Sequence, residues 1–268
     1  MTVPPRPITF LSDYGIADEF VGVCHGVMAR VAPGAQIIDI AHGLPRHDVR
    51  AGALMLRRAL PFMPAGVHLA VVDPEVGTKR RAVALRTAEE DRILVGPDNG
   101  LLALAAQRFG GVIDAVDVSR SVHRLDPVSA TFHGRDIFAP VAAALAAGAE
   151  LLEAGDPIDA DEITLVHMPM AMVEPEGLVA HAIGFDRFGN ITLDVEHQEL
   201  TATGLRLGRP VNVNDHRAHY AVTFSDVGAG ELLLYEDAYR TLALAVNRGS
   251  ARDMLSVSLD DALTIRPA

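Results

Sequence analysis

Over roughly its first 155 residues the chain alternates short apolar runs with segments of helical periodicity, and this feature constrains the fold more than any other. The run Ile8-Thr-Phe-Leu-Ser predicts a first strand, and the spacing of Phe20, Val23 and Val27 predicts the helix after it. Further strands are predicted at 36–41, 67–73, 81–86, 92–95 and 112–116, and further helices at 48–60, at 101–109 and after Asp136. Because strands and helices alternate, we expect an α/β domain with a largely parallel sheet.

The pattern changes from Glu162 onward, where short β-type runs replace the helical periodicity. The runs 177–183 and 218–224 are separated by segments rich in Gly, Asn, Asp and Pro. This spacing is typical of a small antiparallel barrel or sandwich. The stretch 154–162 is the predicted linker, so we expect an N-terminal domain over 1–160 and a C-terminal domain over 161–268.

Charge and apolar content argue against several classes of protein. A net charge of -12 disfavours binding to DNA or RNA, which requires clustered cations. No apolar run reaches the roughly 20 residues of a membrane-spanning helix, and the first residues lack a signal-peptide layout, so we expect no membrane association. The single cysteine, Cys24, cannot form an internal disulfide and lies in a helical pattern. We therefore expect it to pack in the core of a cytoplasmic protein.

Three aspartates, Asp13, Asp73 and Asp98, directly follow predicted strands. Ligands of open α/β sheets bind outside the carboxyl ends of the strands, so these side chains are candidates for a polar site. Pro74 restricts Asp73 to extended backbone and thereby fixes the direction of its carboxylate. A single aspartate of this kind is often only a turn cap, and it is the joint position of the three that favours a site.

A second polar segment, Thr131-Phe-His-Gly-Arg-Asp136, leads into the alanine-rich helix. As a purely structural element it is a helix start, in which Asp136 complements the helix dipole and His133 is packed or exposed. Arg80 and Arg81 can likewise be a solvated pair beside a strand. These residues alone leave the structural and the functional interpretation open.

Five polar segments, each present once, follow one another along the chain. They are Ser12-Asp-Tyr-Gly, Val71-Val-Asp-Pro-Glu-Val-Gly-Thr-Lys-Arg80, Gly96-Pro-Asp-Asn-Gly-Leu-Leu, Thr131-Phe-His-Gly-Arg-Asp and Asp186-Arg-Phe-Gly-Asn-Ile-Thr. Together they resemble the S-adenosylmethionine hydroxide adenosyltransferases, a family related to the fluorinase and chlorinase halogenases. The resemblance implies an α/β N-terminal domain and an antiparallel β-barrel C-terminal domain. It also implies a homotrimer with active sites where one subunit's N-terminal domain meets its neighbour's C-terminal domain.

The resemblance further implies hydrolysis of S-adenosylmethionine to adenosine and methionine by a trio that corresponds here to Asp73, Arg80 and His133. Displacing a neutral thioether from a sulfonium needs no acid catalyst, whereas water, with a pKa of roughly 15.7, is a poor nucleophile. Arg80 stays cationic and can stabilise developing hydroxide. Either Asp73 or His133 can accept the proton, and the sequence does not choose between them. We expect no metal and no cofactor in this chemistry.

Substrate contacts are implied on both domains. Asp13 corresponds to the aspartate that binds the ribose diol, and Phe132 and Gly134 belong to the substrate site. Asp186 and Asn190 correspond to C-terminal positions that hold the methionine amino end and the adenine.

Substitutions favour a hydrolase over a halogenase. The halogenase relatives carry tyrosines at the positions of Asp73 and His133, and a hydroxyl residue at that of Gly134. An ionisable trio would hydrate or repel a halide instead of desolvating it. Two features depart from the family pattern: Glu75 replaces a usual glycine, and an Asn-Ser pair is missing near 236–238.

Two other functions remain as alternatives at this point. One is a metal-dependent phosphohydrolase in which Asp13, Asp73, Asp98 and His133 serve as ligands. The other is a non-catalytic protein that binds S-adenosylmethionine or adenosine. Arg80 beside Asp73 argues against the first alternative, and the presence of the complete trio argues against the second.

Overall fold

The computed structural model describes residues 4–175 and 177–268, apart from the side chain of Thr201; residues 1–3, considered above for a signal peptide, lie outside it. The chain divides into two compact units, Met1–Val166 and His167–Ala268. Each unit buries its own apolar core. Among the described helices, none is both long enough and apolar enough to cross a membrane.

The first unit is a seven-stranded sheet with helices packed against it. Its strands are β1 (Ile8–Ser12), β2 (Ile37–Ala41), β3 (Val67–Val71), β4 (Ala82–Thr87), β5 (Ile93–Pro97), β6 (Val112–Asp117) and β7 (Asp156–Ile158). Its α-helices are α1 (Phe20–Val31), α2 (Val49–Ala59), α3 (Ala103–Arg108) and α4 (Ala139–Ala146). A π-helical turn, Gly134–Phe138, leads directly into α4, and short 3-10 turns cover Leu60–Phe62, Leu151–Glu153 and Ala160–Glu162.

The strands of this sheet lie in the order β2-β1-β3-β5-β4-β6-β7. The first four pair in parallel, whereas β4 is antiparallel to β5. Since β6 is in turn antiparallel to β4, it runs with the parallel group, and only β4 and β7 run the other way. The predicted α/β class with a largely parallel sheet is confirmed.

Apolar layers cover both faces of the sheet. One layer includes Met28 of α1 and Phe138 beside α4, and the other includes Leu56 of α2 and Leu101 before α3. All five residues of β3 are buried, as expected for a strand covered on both faces. Cys24 is buried in the first layer, where burial raises the pKa of its thiol to about 12. The predicted packing role of this cysteine is confirmed.

The stretch 154–162 is not the linker that the sequence suggests. It contributes β7, which pairs with β6 at the edge of the sheet. The stretch continues into the turn Ala160–Glu162, and Glu162 accepts hydrogen bonds from Arg81 with both its side chain and its carbonyl oxygen. An edge strand can be short and polar because one of its edges lacks a partner strand. The polar composition of 154–162 therefore did not indicate that it contains β7.

The second unit is built almost entirely from strands. They are β8 (Met172–Glu174), β9 (Gly177–Phe185), β10 (Ile191–Glu196), β11 (Pro210–Val213), β12 (His216–Tyr220), β13 (Leu232–Glu236), β14 (Thr241–Val246) and β15 (Ala262–Pro267). A short helix, α5 (Ala251–Leu255), and 3-10 turns at His197–Ala202 and Phe224–Asp226 complete it.

These strands form a closed barrel. The order β10-β14-β13-β12-β11-β15-β9 closes on itself because β9 also pairs with β10, and β8 adds to β9 outside the ring. All these pairings are antiparallel except β12 with β13. Alternate residues of β10 (Ile191, Leu193 and Val195) are fully buried in the barrel core. The predicted antiparallel barrel is confirmed.

Candidate active site

Asp73, Arg80 and His133 meet beyond the carboxyl end of β3. The Arg80 guanidinium donates from Nε to Asp73 Oδ1 at 3.1 Å and from Nη2 to Asp73 Oδ2. The same Nη2 lies 3.1 Å from His133 Nδ1. The side chains of Arg80 and Asp73 are only 3% and 6% exposed, so water screens their charges weakly. The structure thus brings the three residues of the proposed trio into one hydrogen-bonded cluster.

This cluster determines where His133 carries its proton. A guanidinium can only donate hydrogen bonds, so Nδ1 must accept, and the neutral ring is protonated on Nε2. Burial, followed by the charge of Arg80, lowers the pKa of His133 below its ordinary value of 6.5. Both observations indicate a neutral imidazole at neutral pH. The contact with Arg80 restricts the orientation of the ring and therefore the direction of its Nε2–H group.

The turn between Asp73 and Arg80 is held by its own hydrogen bonds. Thr78 donates from its hydroxyl to the Glu75 carbonyl oxygen at 2.8 Å and accepts from the Arg80 amide at 3.2 Å. Gly77 has a φ of +82°, and a Cβ there would lie 2.6 Å from a backbone oxygen, so this position requires glycine. Glu75 is exposed and lies outside the left-handed region, which explains why the turn tolerates it in place of glycine.

A cavity of about 480 Å³ opens beside the cluster. Its lining includes the proposed site residues Asp13, Asp73, His133 and Gly134. The other lining residues are Tyr14, Gly15, Asp18, Phe20, Leu44, Arg46, His47, Val76 and Thr131. The volume falls within the range of roughly 300–1,000 Å³ typical of small-molecule sites. We call this space the substrate cavity.

A second cavity, of about 520 Å³, is lined by Arg80 and His133 together with Lys79, Arg81 and Arg120. His133 borders both cavities, whereas Asp73 lines only the substrate cavity and Arg80 only the second. The cluster therefore lies between two spaces that are each large enough for ordered water.

Asp13 lines the substrate cavity and anchors one of its loops. Its Oδ2 accepts a hydrogen bond from the His47 amide at 2.9 Å. His47 has a φ of 65°, an unusual backbone conformation for a residue other than glycine. No predicted strand ends at His47 or its neighbour Arg46, so the sequence does not mark them as site residues. Their only signal was the polar stretch before the helix cap at Asp48.

Aromatic side chains form another wall of the substrate cavity. Tyr14 and Phe20 line the cavity, whereas Phe132, predicted to belong to the substrate site, is not among the lining residues. Phe132 packs edge-on against Tyr14 and Phe20, with ring centroids 5.7 and 5.3 Å away. Burial first, then nearby anionic groups, raise the pKa of Tyr14 well above its usual range, so its phenol is neutral. A Cβ at position 134 would lie 2.0 Å from Tyr14 Oη. The sequence identified Phe132 and Gly134 but not Tyr14 or Phe20, whose apolar character fits a core as well as a site.

Asp98 follows β5 as expected but does not join the cluster. Arg81 donates to its Oδ2 at 2.8 Å, and the Thr164 amide donates to its Oδ1 at 2.8 Å. The adjacent Asn99 donates from Nδ2 to the Val72 carbonyl oxygen at 2.9 Å. These contacts fix the backbone around the strand ends, so Asp98 holds the structure in place beside the site.

The four-ligand metal set of the phosphohydrolase alternative does not form in the described residues. Both carboxylate oxygens of Asp73 accept from Arg80, and those of Asp98 accept from Arg81 and a backbone amide. A divalent cation would have to compete with a guanidinium for Asp73 and for Asp98, which electrostatics opposes.

Asp186 and Asn190 lie in the second unit, at the connection between β9 and β10. Asp186 Oδ1 accepts from the Phe188 amide at 2.8 Å and the Asn190 amide at 3.0 Å, and Asn190 Nδ2 donates to Asp186 Oδ2 at 2.7 Å. The two side chains therefore hold each other in a tight turn. Phe188, at the tip, is 67% exposed. The proposed contacts of this pair with adenine and methionine stay predictions.

The segment 236–238, where the Asn-Ser pair is missing, comprises the last residue of β13 and the start of the turn to β14. Asp237 Oδ1 accepts from the amides of Tyr239 and Thr241 at 2.8 and 3.0 Å. Glu236 pairs with His197 and with Arg240. Local hydrogen bonds therefore maintain the turn without the missing residues.

Known proteins share both units of this chain. The model of the SAM hydroxide adenosyltransferase N-terminal domain matches residues 8–155, and that of the C-terminal domain matches residues 180–264. An uncharacterized conserved protein from Thermotoga maritima has a crystal structure with a TM-score of 0.89 and 36% identity, covering 97% of this chain and 99% of that one.

The similar proteins include both S-adenosylmethionine hydrolases and a fluorinase. An (R)-S-adenosyl-L-methionine hydrolase of Salinispora tropica is 48% identical over 97% of this chain and 98% of its own length, and one of Salinispora arenicola is 45% identical over 96% and 97%. A fluorinase of Actinoplanes sp. is 30% identical over 90% of each chain. With both domain models matched in order, the chain belongs to the SAM hydroxide adenosyltransferase family.

Proposed function

We propose that this chain hydrolyses S-adenosylmethionine to adenosine and methionine by attack of water at the ribose C5′ atom. The observation that carries the proposal is the buried Asp73–Arg80–His133 cluster beside a cavity of suitable size. The names of the relatives that share 48% and 45% of its sequence support the same reaction.

The charges of the substrate cavity suit a sulfonium ligand. Asp13, Asp18 and Asp73 line it, and although Arg80 pairs with Asp73, the other two aspartates outnumber the single lining arginine, Arg46. A cationic sulfonium is attracted to such a lining, and the attraction is strongest where water is partly excluded. Asp13 offers carboxylate oxygens to the vicinal hydroxyls of the ribose.

In the reaction, the water oxygen forms a bond to C5′ while the C5′–S bond breaks. The bonding electron pair goes to sulfur, which leaves as the neutral thioether of methionine. One proton of the water must be removed, and the products are adenosine, methionine and that proton. Because the leaving group is neutral, assistance is needed only at the nucleophile.

We assign the proton acceptor to Asp73. The Nδ1 lone pair of His133 already accepts from Arg80, and its Nε2 carries the ring proton, so neither nitrogen can act as a base. The Asp73 carboxylate has lone pairs beyond the two that Arg80 occupies. His133 Nε2–H can then donate to the water oxygen and orient it, while the fixed charge of Arg80 stabilises developing hydroxide. Positioned general-base catalysis of this kind supplies about 10²–10⁴-fold.

Substrate stereochemistry, assembly and location form the finer part of the proposal. The sulfonium sulfur is a stereocentre, and we expect the (R) epimer specified in the relatives' names to be the substrate. We also expect a cytoplasmic homotrimer with sites shared between subunits, and no metal or cofactor in the reaction. Mixing Asp73→Asn and Asp186→Ala subunits tests the sharing, because hybrid trimers would regain sites that contain neither substitution.

The reaction is tested by incubating EDTA-treated protein with each epimer of S-adenosylmethionine in ¹⁸O-water. We expect one ¹⁸O atom in the 5′-hydroxyl of adenosine, unlabelled methionine, and product formation about 10²–10⁴-fold slower with Asp73→Asn. Label elsewhere, or a requirement for added metal, would contradict the mechanism. Parallel reactions with excess fluoride or chloride should yield no 5′-halogenated nucleoside. Tight binding without turnover over hours would instead support a non-catalytic binding protein.

A further inference from the structure

Three side chains outside the proposed trio converge at the edge of the first sheet. His25 lies on α1, Asp39 on the edge strand β2, and His42 just after that strand. One potential ligand atom from each of the three side chains lies within 4.8 Å of the other two. Nε2 of His25 and Nε2 of His42 approach the same carboxylate oxygen, Asp39 Oδ1, at 2.8 and 3.0 Å. The arrangement places two imidazoles and one carboxylate around a common point.

The ring of His42 shows that hydrogen bonds alone leave the cluster incomplete. Its side chain is only 5% exposed, and its Nε2 has no hydrogen-bond partner of acceptable alignment in the part of the chain that is described. Its 3.0 Å approach to Asp39 Oδ1 is poorly aligned for a hydrogen bond, and a cation between this buried nitrogen and the carboxylate would bind both.

The surroundings fix both rings. Ser12 Oγ lies 2.8 Å from His42 Nδ1, which leaves Nε2 directed at Asp39. Both imidazoles also pack against the Phe10 ring, His42 at 4.6 Å and His25 at 6.0 Å between centroids. Histidines that bind metals commonly have the other ring nitrogen held by such an outer hydrogen bond, so Ser12 occupies the position of a supporting group.

We propose that His25, Asp39 and His42 form a site for one divalent transition-metal ion of the Zn²⁺ class, with water completing the coordination. In a tetrahedral site with bonds of about 2.0–2.1 Å, neighbouring ligand atoms stand about 3.3 Å apart. The observed 2.8 and 3.0 Å separations need to open by only a few tenths of an ångström. Imidazole nitrogen with carboxylate oxygen is a ligand set suited to transition metals, whereas Mg²⁺ and Ca²⁺ prefer oxygen alone.

The site connects to the substrate cavity through the backbone rather than through the reacting atoms. Ser12 Oγ also accepts from the Tyr14 amide at 3.3 Å, and the His42 carbonyl oxygen accepts from the Gly15 amide at 2.7 Å. Tyr14 and Gly15 line the substrate cavity. A bound ion would therefore hold the cavity-lining segment 13–15 in place, a structural role compatible with metal-free chemistry.

The test measures binding directly and needs no turnover. Tag-free protein stripped with EDTA and freed of chelator is titrated with Zn²⁺ by calorimetry and with Co²⁺ by visible absorption. We expect one ion per chain, and at least roughly tenfold weaker affinity in Asp39→Asn and His25→Gln. These two positions are partly exposed, so both variants should fold, which circular dichroism checks.

His219→Gln serves as the matched control, because it removes an exposed histidine of the second unit. Its Zn²⁺ affinity should equal that of the wild type. Absence of stoichiometric binding in the wild type would overturn the proposal and leave a purely hydrogen-bonded cluster. Unchanged affinity in both Asp39→Asn and His25→Gln would overturn it equally, since the ion would then lie elsewhere.

Discussion

Removing Arg80 should lower stability and turnover through the same contact. In Arg80→Ala the Asp73 carboxylate, only 6% exposed, loses both of its guanidinium bonds. Removing one member of a buried ion pair costs about 3–5 kcal/mol. We expect about 3 kcal/mol, the low end of that range, because the adjoining cavity admits water to the carboxylate. Asp73→Asn should cost less, about 1–2 kcal/mol, because the guanidinium retains its bond to the Arg81 carbonyl oxygen at 3.1 Å.

The double variant Asp73→Asn/Arg80→Ala removes both charges together. We expect it to be more stable than the sum of the single changes predicts, by about 2 kcal/mol, since neither charge is left buried alone. Turnover should instead fall by a similar factor, about 10²–10⁴, in all three variants, because the groups act as a unit. Urea unfolding at fixed protein concentration gives the stabilities, and product formation gives the rates.

Arg81→Ala is the matched control for this double-mutant cycle of Asp73 and Arg80. It removes the neighbouring arginine and leaves Asp98, whose side chain is 3% exposed, with the Thr164 amide as its remaining donor. We expect it to lose stability while retaining turnover. Additive stabilities in the cycle, together with wild-type turnover in Asp73→Asn, would refute the reasoning that a coupled ion pair activates water.

Three further predictions concern groups around the trio. Because the pKa of folded His133 lies below its ordinary 6.5, the ring is neutral above pH 6.5 and its contribution to turnover is intact there. This contribution is lost as the pH falls through the folded pKa, so an acid limb of kcat/KM centred above 6.5 would contradict the assignment. Gly134→Ala should cost about 1–3 kcal/mol by forcing a Cβ to 2.0 Å from Tyr14 Oη, and Tyr14→Phe should recover part of this loss in urea unfolding; no recovery would implicate another contact. Asp13→Ala should weaken adenosine binding roughly ten- to hundredfold in calorimetry, and an unchanged Kd would exclude its role with the ribose.

Much of the fold follows from local patterns in the sequence. The apolar runs of the first half predict β1, β3 and β5, because both faces of a parallel sheet are covered and its strands must be apolar. The helical periodicity between these runs predicts the helices. The aspartates after these strands could be located by the same argument. Since β1, β3 and β5 are neighbours and parallel, Asp13, Asp73 and Asp98 do follow adjacent strand ends.

What the sequence could not provide are the partners of individual side chains. Nothing local indicates that Asp98 binds Arg81 while Asp73 binds Arg80. Asp136 lies in the first helical turn, as the purely structural interpretation has it, but nothing local indicates that it is also buried and accepts from Arg135 and from the Ser129 amide. Such choices depend on contacts between distant segments, and many pairings satisfy the same local pattern.

The position of β4 explains how two consecutive arginines come to bind two different aspartates. β3 and β4 are consecutive along the chain, but β5 lies between them in the sheet, so the segment 72–81 must cross the carboxyl end of β5. Successive side chains of an extended segment point in opposite directions. Arg80 accordingly reaches back to Asp73 after β3, and Arg81 reaches Asp98 after β5.

This crossing also preorganises the guanidinium of the proposed trio. Arg80 is held at once by the Asp73 carboxylate, by His133 Nδ1 and by the Arg81 carbonyl oxygen, and it lies 5.3 Å from the Phe138 ring centroid. A cation fixed before the substrate arrives needs no reorganisation as negative charge develops on the water oxygen. A guanidinium cannot act as a base in a protein, so the proposed mechanism has Asp73 accept the proton and His133 orient the water.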